Sequence, residues 1–250
     1  MRNAEFNLPI LAELYDAECP WSRDDDFFLS VVNQASGARV LDLGCGTGRL
    51  SLGMSAAGHT VTGVDPAGAS LDRARTKPGA HAVTWLHGTS EILPSNAFDI
   101  AVMTSHVAQF FVTDAEWQAN FTDLHRALAP GGRLVFDTRD PRARAWERWN
   151  PIDSARDVFL PDGRRCHAWT EVTAVEGEPA PVVHFTHHYE LPGLAELTSE
   201  ASLRFRGQDE VRTSLNRLGF SIENVYGGWS REPVGHSDGE LLVIATRNPA

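Results

Sequence analysis

Residues 39–65, RVLDLGCGTGRLSLGMSAAGHTVTGVD, constrain the fold more than any other stretch. Val40, Leu41 and Leu43 form a short apolar run, as in a strand buried on both faces. Gly44, Gly46 and Gly48 follow as a loop that can pass close beneath a ligand, because no Cβ blocks the approach. From Arg49 to Ala57 the pattern is helical, with Leu50, Met54 and Ala57 on one face, and Gly58 stops it. Val61 to Val64 predict a second strand with Asp65 at its C-terminal end. In an open α/β sheet, ligands bind outside that end of the strands.

Glycine spacing narrows the ligand. A dinucleotide fingerprint is G-x-G-x-x-G with an acid about 20 residues on. Here the pattern is G-x-G-x-G, and Arg49 stands at the third dinucleotide glycine position. Asp65 can still accept bonds from both hydroxyls of a ribose. The pattern therefore points to a nucleoside without a pyrophosphate to cradle. VLDLGCGTG resembles the first motif of the class I S-adenosylmethionine-dependent methyltransferases. HGTSEILPSNAFDIAVMTSHVAQFF resembles that family's third strand, adenine loop and fourth strand, and LHRALAPGGRLVFDT its following helix, turn and fifth strand. Residues 220–226 and 240–246 fit the end of the sheet.

The resemblance implies a Rossmann-like α/β fold: a doubly wound, seven-stranded, mostly parallel sheet with an antiparallel β insertion after strand 5. It implies S-adenosylmethionine as the cofactor. The expected division is an N-terminal helical cap over 1–37, a core over 38–138 and 207–250, and an inserted substrate lid over 139–206. The insertion resembles the sheet found at this point in small-molecule methyltransferases, including those acting on amino sugars. Alternation in HAWTEVTAV and VVHFTHHYEL, with turn signals at Asp162-Gly163, Gly177 and Pro192-Gly193, predicts its strands independently. Asp114 to Leu128 predict a helix with Trp117, Phe121, Leu124 and Leu128 buried, Ala129–Gly132 a turn, and Leu134 to Asp137 the fifth strand.

Composition limits the partners. With 33 acids against 22 bases the formal net charge is −11, which disfavours nucleic acid and anionic membranes. No run approaches the roughly 18 apolar residues of a membrane span. Acids interrupt MRNAEFNLPILAELYDAE where a signal peptide needs an apolar core, so a cytoplasmic location is expected. Cys19, Cys45 and Cys166 form neither a disulfide framework nor a metal pair. The expected partner is a small molecule, bound by a monomer or homodimer.

For the cofactor, the family pattern implies Asp65 on the ribose, and Gly44, Cys45 and Gly46 in the loop. It implies Asp42 toward the methionine ammonium, Pro66 and Ala67 beside the adenine, and Gly88, Thr89 and Ser90 in the adenine loop. It implies a carbonyl near the ammonium from Thr104 or Ser105, and makes Tyr15 a candidate cover for the cofactor. Family members often carry Gly-Asp-Ala in the adenine loop, where this chain has Gly88, Thr89 and Ser90.

The fourth strand of this fold ends beside the transferred methyl group. His106, which follows that strand, is the candidate base, because imidazole titrates near physiological pH. Gln109 is a candidate for orienting the acceptor. Trp21, His106, Trp146, Tyr189 and Trp229 are the candidate acceptor contacts, within an aromatic set that also includes Trp149 and Trp169. No metal is expected: in a strand His184 and His188 share one face and His187 the other. The expected reaction methylates nitrogen or oxygen of a small molecule. The competing readings are a binding protein that holds the cofactor without transfer, and a nicotinamide-dependent oxidoreductase.

Overall fold

The structure, a computed structural model, describes residues 3–249. Its first five strands are β1 (Arg39–Leu43), β2 (Thr60–Asp65), β3 (Thr84–His87), β4 (Phe98–Met103) and β5 (Leu128–Arg139). Then come β6 (Arg156–Phe159), β7 (Arg165–Glu176), β8 (Val182–Glu190), β9 (Leu197–Arg204), β10 (Phe220–Tyr226) and β11 (Glu240–Arg247). The helices are α1 (Ala4–Asn7), α2 (Pro9–Glu18), α3 (Arg23–Val32), α4 (Arg49–Ala56), α5 (Gly68–Arg75), α6 (Asp114–Ala127) and α7 (Gln208–Arg217).

Side-chain alternation sorts the core into two layers. Leu41, Leu43, Ala101, Met103, Leu134, Phe136, Val243 and Ala245 face α6 and α7, where Trp117, Phe121, Leu124, Val211 and Leu215 meet them. The intervening Val40, Ile100, Val102, Val135, Leu242 and Ile244 face α3 and α4, against Phe27, Phe28, Val31, Leu50 and Met54. Period-two alternation on a doubly covered sheet produces this sorting.

The sheet has seven strands in the order β10-β11-β5-β4-β1-β2-β3. The ladders from β5 through to β3 are parallel, and β11 runs antiparallel to both β5 and β10. This is the expected seven-stranded, Rossmann-like arrangement. The chain leaves β1 on one side of the sheet and β4 on the other. The crevice between them therefore opens at the C-terminal ends of these two strands. Because β11 is antiparallel, its first residue, Glu240, pairs with Arg139 at the end of β5 and reaches the same edge.

Local chemistry sets several boundaries. Thr113 and Glu116 form a reciprocal capping box that starts α6. Among the described residues, the N-terminal cap holds three helices. Pro9 starts α2 and holds Leu8 extended, which separates α1 from it. The Ala129–Gly132 segment, expected as a turn, instead forms the irregular start of β5. Leu128 pairs with Phe98, and the regular ladder resumes at Arg133 opposite Ile100. Gly132 is needed there, since a Cβ would lie 3.0 Å from the Asp99 carbonyl oxygen.

A separate antiparallel sheet, β6-β7-β8-β9, stands over the same crevice. Its inner face packs on α1 and α2 through Val158, Ala168, Tyr189 and Leu191, against Ala4, Leu11 and Leu14. Among the described residues, no helix is long and apolar enough to cross a membrane.

Candidate functional site

A cavity of 1240 Å³ lies between the strand ends, the N-terminal helices and the inner face of the four-stranded sheet. One wall is the turn from β1 into α4. Gly44, Gly46 and Gly48 all take positive φ, of 78°, 52° and 80°. A Cβ on Gly44 would also press on the Val107 side chain at 2.5 Å. Only glycine satisfies both conditions.

Asp65 ends β2 and turns into this wall. Its Oδ2 accepts from the Gly46 backbone N–H at 2.7 Å and its Oδ1 from the Ala67 N–H at 2.8 Å. Burial raises its pKa, and these two donors oppose the rise. Each oxygen keeps a lone pair for a further donor.

Asp42, also on the wall, is 1% exposed. Its Oδ2 accepts from Ser51 Oγ at 2.5 Å, and its Oδ1 is buried without a hydrogen-bond partner. Burial pushes its pKa up to about 7; the Ser51 bond opposes this and the Asp65 charge adds to it. Such an orphaned oxygen is expensive to bury unless a donor, preferably cationic, completes it.

Ion pairs tie the N-terminal helices over the glycine turn. The Asp16 carboxylate accepts from Thr47 Oγ1 (2.5 Å), Arg73 Nε (2.9 Å) and Lys77 Nζ (2.6 Å). Arg49 Nη1 donates to the Pro20 carbonyl at 2.7 Å, and its guanidinium pairs with Asp24 and Asp25 at 3.3 and 3.2 Å. The residue in the third dinucleotide glycine position thus holds the cap. Tyr15 lines the cavity.

The opposite wall is made by the ends of β4, β5 and β11. Ser105 and His106 take positive φ, 55° and 64°, in succession. Left-handed backbone at non-glycine residues costs on the order of 1–2 kcal/mol each. A buried carboxylate holds this turn, since the His106 N–H donates to Asp137 Oδ2 at 3.0 Å. His106 Nε2 lies 2.9 Å from Glu240 Oε2 and 3.2 Å from Asp137 Oδ2. Asp137 is fully buried, and its Oδ1 has no hydrogen-bond partner. Burial pushes its pKa up to about 6, opposed by His106 and reinforced by Glu240.

Most of the residues singled out from sequence line this cavity: Tyr15, Asp42, Gly44, Cys45, Gly46, Asp65, Pro66, Ala67, Thr89, Ser90, Thr104, Ser105, His106, Tyr189 and Trp229. The Cys45 sulfur sits over Gly63, where a Cβ would meet it at 2.9 Å. Ser90 differs from expectation in its hydroxyl, which bridges Asn120 and Asp123 on α6 at 2.9 and 2.8 Å.

Four residues lie elsewhere. Gly88 is off the cavity: its N–H donates to the Asp65 carbonyl, and the Ile92 side chain lies where its Cβ would be. Gln109 is 1% exposed and points away, accepting from Arg139 Nη1 at 3.0 Å and donating to the Arg204 carbonyl at 3.3 Å. Trp21 is 42% exposed; its ring lies over Gly53, and its Nε1 donates to Asp26 at 2.8 Å. The turn at Pro20 and the capping box at Ser22 carry it onto α4. Trp146 is buried edge-on against Phe205, centroids 4.6 Å apart. Trp149, three residues on, faces the cavity with Arg139 5.4 Å from its ring.

The histidines of β8 divide as the strand period requires. His187 points inward and bonds Thr170 at 2.8 Å, and burial pushes its pKa down to about 4. His184 bonds Ser202 and His188 bonds Glu196, while Trp169 stacks on His188 with centroids 4.7 Å apart.

Sequence reasoning missed Asp137, Arg139 and Glu240. Asp137 and Arg139 close the apolar run of β5, at the ligand-binding end of a parallel strand. Glu240 opens an antiparallel strand, so a strand-end search restricted to C-termini passes over it. His106, Asp137 and Glu240 are close enough to share one cation, whereas the β8 histidines are not grouped.

A profile described as a methyltransferase domain matches residues 40–132. The chain is 28% identical to a cypemycin N-terminal methyltransferase of Streptomyces sp., over 84% of each protein. It is 34% identical to a malonyl-[acyl-carrier protein] O-methyltransferase of Serratia marcescens, over 59% of this chain and 58% of that relative. In three dimensions it superposes with a TM-score of 0.64 on an amino pentose methyltransferase of Micromonospora echinaspora solved with S-adenosylmethionine bound. That match has 24% identity and covers 91% of this chain and 92% of the other.

Proposed function

The chain belongs to the S-adenosylmethionine-dependent methyltransferases, and on that footing we propose that it methylates a nitrogen or oxygen atom of a small-molecule acceptor held beneath the four-stranded sheet. The observation that carries the cofactor placement is the pairing of two unlike carboxylates on one wall. Asp65 is prearranged by two backbone donors, and Asp42 Oδ1 lacks a donor.

The bound cofactor supplies a sulfonium-activated methyl group. Asp65 accepts the two ribose hydroxyls, Gly44 and Gly46 give the close backbone approach, and Asp42 Oδ1 takes an ammonium N–H. Thr89, Pro66 and Ala67 border the adenine, while Tyr15 closes the site from above. Thr104 and Ser105 would hold the methionine portion, on the same stretch of cavity wall that carries His106. Aligning acceptor and methyl at near-attack distance, with water excluded, supplies on the order of 7–11 kcal/mol.

Trp149, Phe185, Tyr189 and Trp229 give the acceptor side aromatic walls, and the neutral His187 faces them. Such a pocket suits a small organic molecule better than a nucleic acid, as does the net charge of −11. The test is incubation with methyl-labelled cofactor and fractionated metabolite extract, alongside calorimetric titration of cofactor. Saturable binding with label recovered in a small molecule supports the reading. Binding without transfer would favour a cofactor-binding protein.

A further inference from the structure

Three strand ends deliver titratable groups to one corner of the acceptor wall: His106 after β4, Asp137 in β5 and Glu240 opening β11. The imidazole Nε2 stands between the two carboxylates, at 2.9 and 3.2 Å, yet a neutral ring has one proton at that nitrogen. Asp137 Oδ1 remains buried and without a donor, on a residue that lines the cavity. The neighbouring cation, Arg139, is engaged by Gln109 and lies over Trp149. The charge of Arg139 acts on both Asp137 and Glu240, and what the corner still lacks is a hydrogen-bond donor to Asp137 Oδ1. A hydroxyl brings one proton and no charge, whereas an ammonium brings up to three N–H donors and a full charge.

We propose that this corner receives the acceptor as an ammonium, which commits the site to amines. One ammonium N–H donates to Asp137 Oδ1, and a second proton passes to the Asp137–His106–Glu240 group. The amine lone pair so freed forms the new nitrogen–carbon bond to the methyl group. The carbon–sulfur bond breaks in the same step, and its electron pair stays on sulfur. The product is a protonated methylamine, and the proton taken up by the Asp137–His106–Glu240 group returns to water as the product leaves. The strained Ser105–His106 turn has a reason in this scheme, because it sets the imidazole between the carboxylates.

The inference rests on the methyltransferase reading, and the test separates the two. Protein with carbon-13-labelled imidazoles is first titrated with S-adenosylhomocysteine by calorimetry. The complex is then titrated in turn with ethylammonium chloride, ethanol and manganese(II) chloride. The His106 resonance is followed throughout, assigned by its loss in His106→Gln. The expected result is a saturable shift with ethylammonium and none with ethanol. Asp137→Asn, shown to be folded by retained S-adenosylhomocysteine binding, should weaken the ethylammonium response at least about tenfold.

An equal response to ethanol, no response to either probe, or an unweakened Asp137→Asn would overturn the proposal. Saturable manganese broadening that excludes ethylammonium would also overturn it, in favour of a metal site. Failure of S-adenosylhomocysteine to bind would remove the underlying methyltransferase reading. Its binding with silence toward ethylammonium removes only the amine assignment.

Discussion

On one side of the cavity Asp42, Gly44, Gly46 and Asp65 all come from the single unit β1–α4–β2. On the other side, His106, Asp137, Trp149 and Glu240 come from separate segments spread over residues 106–240. The first wall is specified locally: a strand, a glycine turn whose φ values few other residues accept, a helix and a second strand. The second wall exists only when β5 pairs with β4 on one edge and with β11 on the other. A local unit repeats the same geometry wherever its short pattern occurs. A wall assembled from distant segments can be rebuilt by changing any one of them. The conserved chemistry of a cofactor suits the first arrangement, and a variable acceptor suits the second.

The comparison can be broken by showing that a change on one wall reaches the other. The largest effect is expected at Asp42. Its folded pKa of about 7 lies above its ordinary value of 3.8, so folding favours the protonated form. The stabilisation is complete below the unfolded pKa and is lost as pH rises through 7. Denaturant titrations from pH 4 to 8 should show Asp42→Asn gaining on the parent protein as pH rises, with an upper bound on the order of 4 kcal/mol. A pH-independent gap between the two would contradict the buried-acid account. If the cofactor ammonium completes Oδ1 as proposed, saturating S-adenosylmethionine should shrink the gap.

Next in size is Asp65→Ala, which should weaken S-adenosylmethionine binding by about 100-fold in calorimetry, from two lost charge-assisted bonds. Its effect should stay on the cofactor wall. An unchanged affinity would reject the ribose assignment. Trp149→Ala should act in the reverse sense, raising the acceptor KM by about tenfold through lost aromatic packing while cofactor affinity holds. Equal losses for both ligands would mean that the walls are not independent. The smallest effect belongs to Thr113→Ala at the start of α6, behind both walls. Loss of its cap should lower stability by about 1 kcal/mol and leave both affinities in place, as read by denaturant midpoint and calorimetry.

The same contrast explains what could be read from the sequence. β1, the glycine turn and Asp65 were legible because each carries a backbone requirement visible within a few residues. The alternation of β7 and β8 likewise gave the inserted sheet and the opposite facing of His187. Trp146 and Trp149 were not separable, since a short 3-10 turn decides which ring enters the cavity and which packs on Phe205. Gln109 follows His106 closely in sequence, but the 3-10 turn between them sends it to Arg139 instead. Glu240 lay outside any local signal: its place beside His106 depends on the antiparallel register of β11 against β5. Long-range pairing, rather than residue type, chose the acceptor wall.

The most direct test of the account is a crystal structure of the protein grown with S-adenosylhomocysteine. The account predicts ribose hydroxyls within hydrogen-bond distance of Asp65, the ammonium on Asp42 Oδ1, and the sulfur facing the His106–Asp137–Glu240 corner. A ligand whose ribose leaves Asp65 untouched, or whose sulfur faces away from that corner, would contradict it.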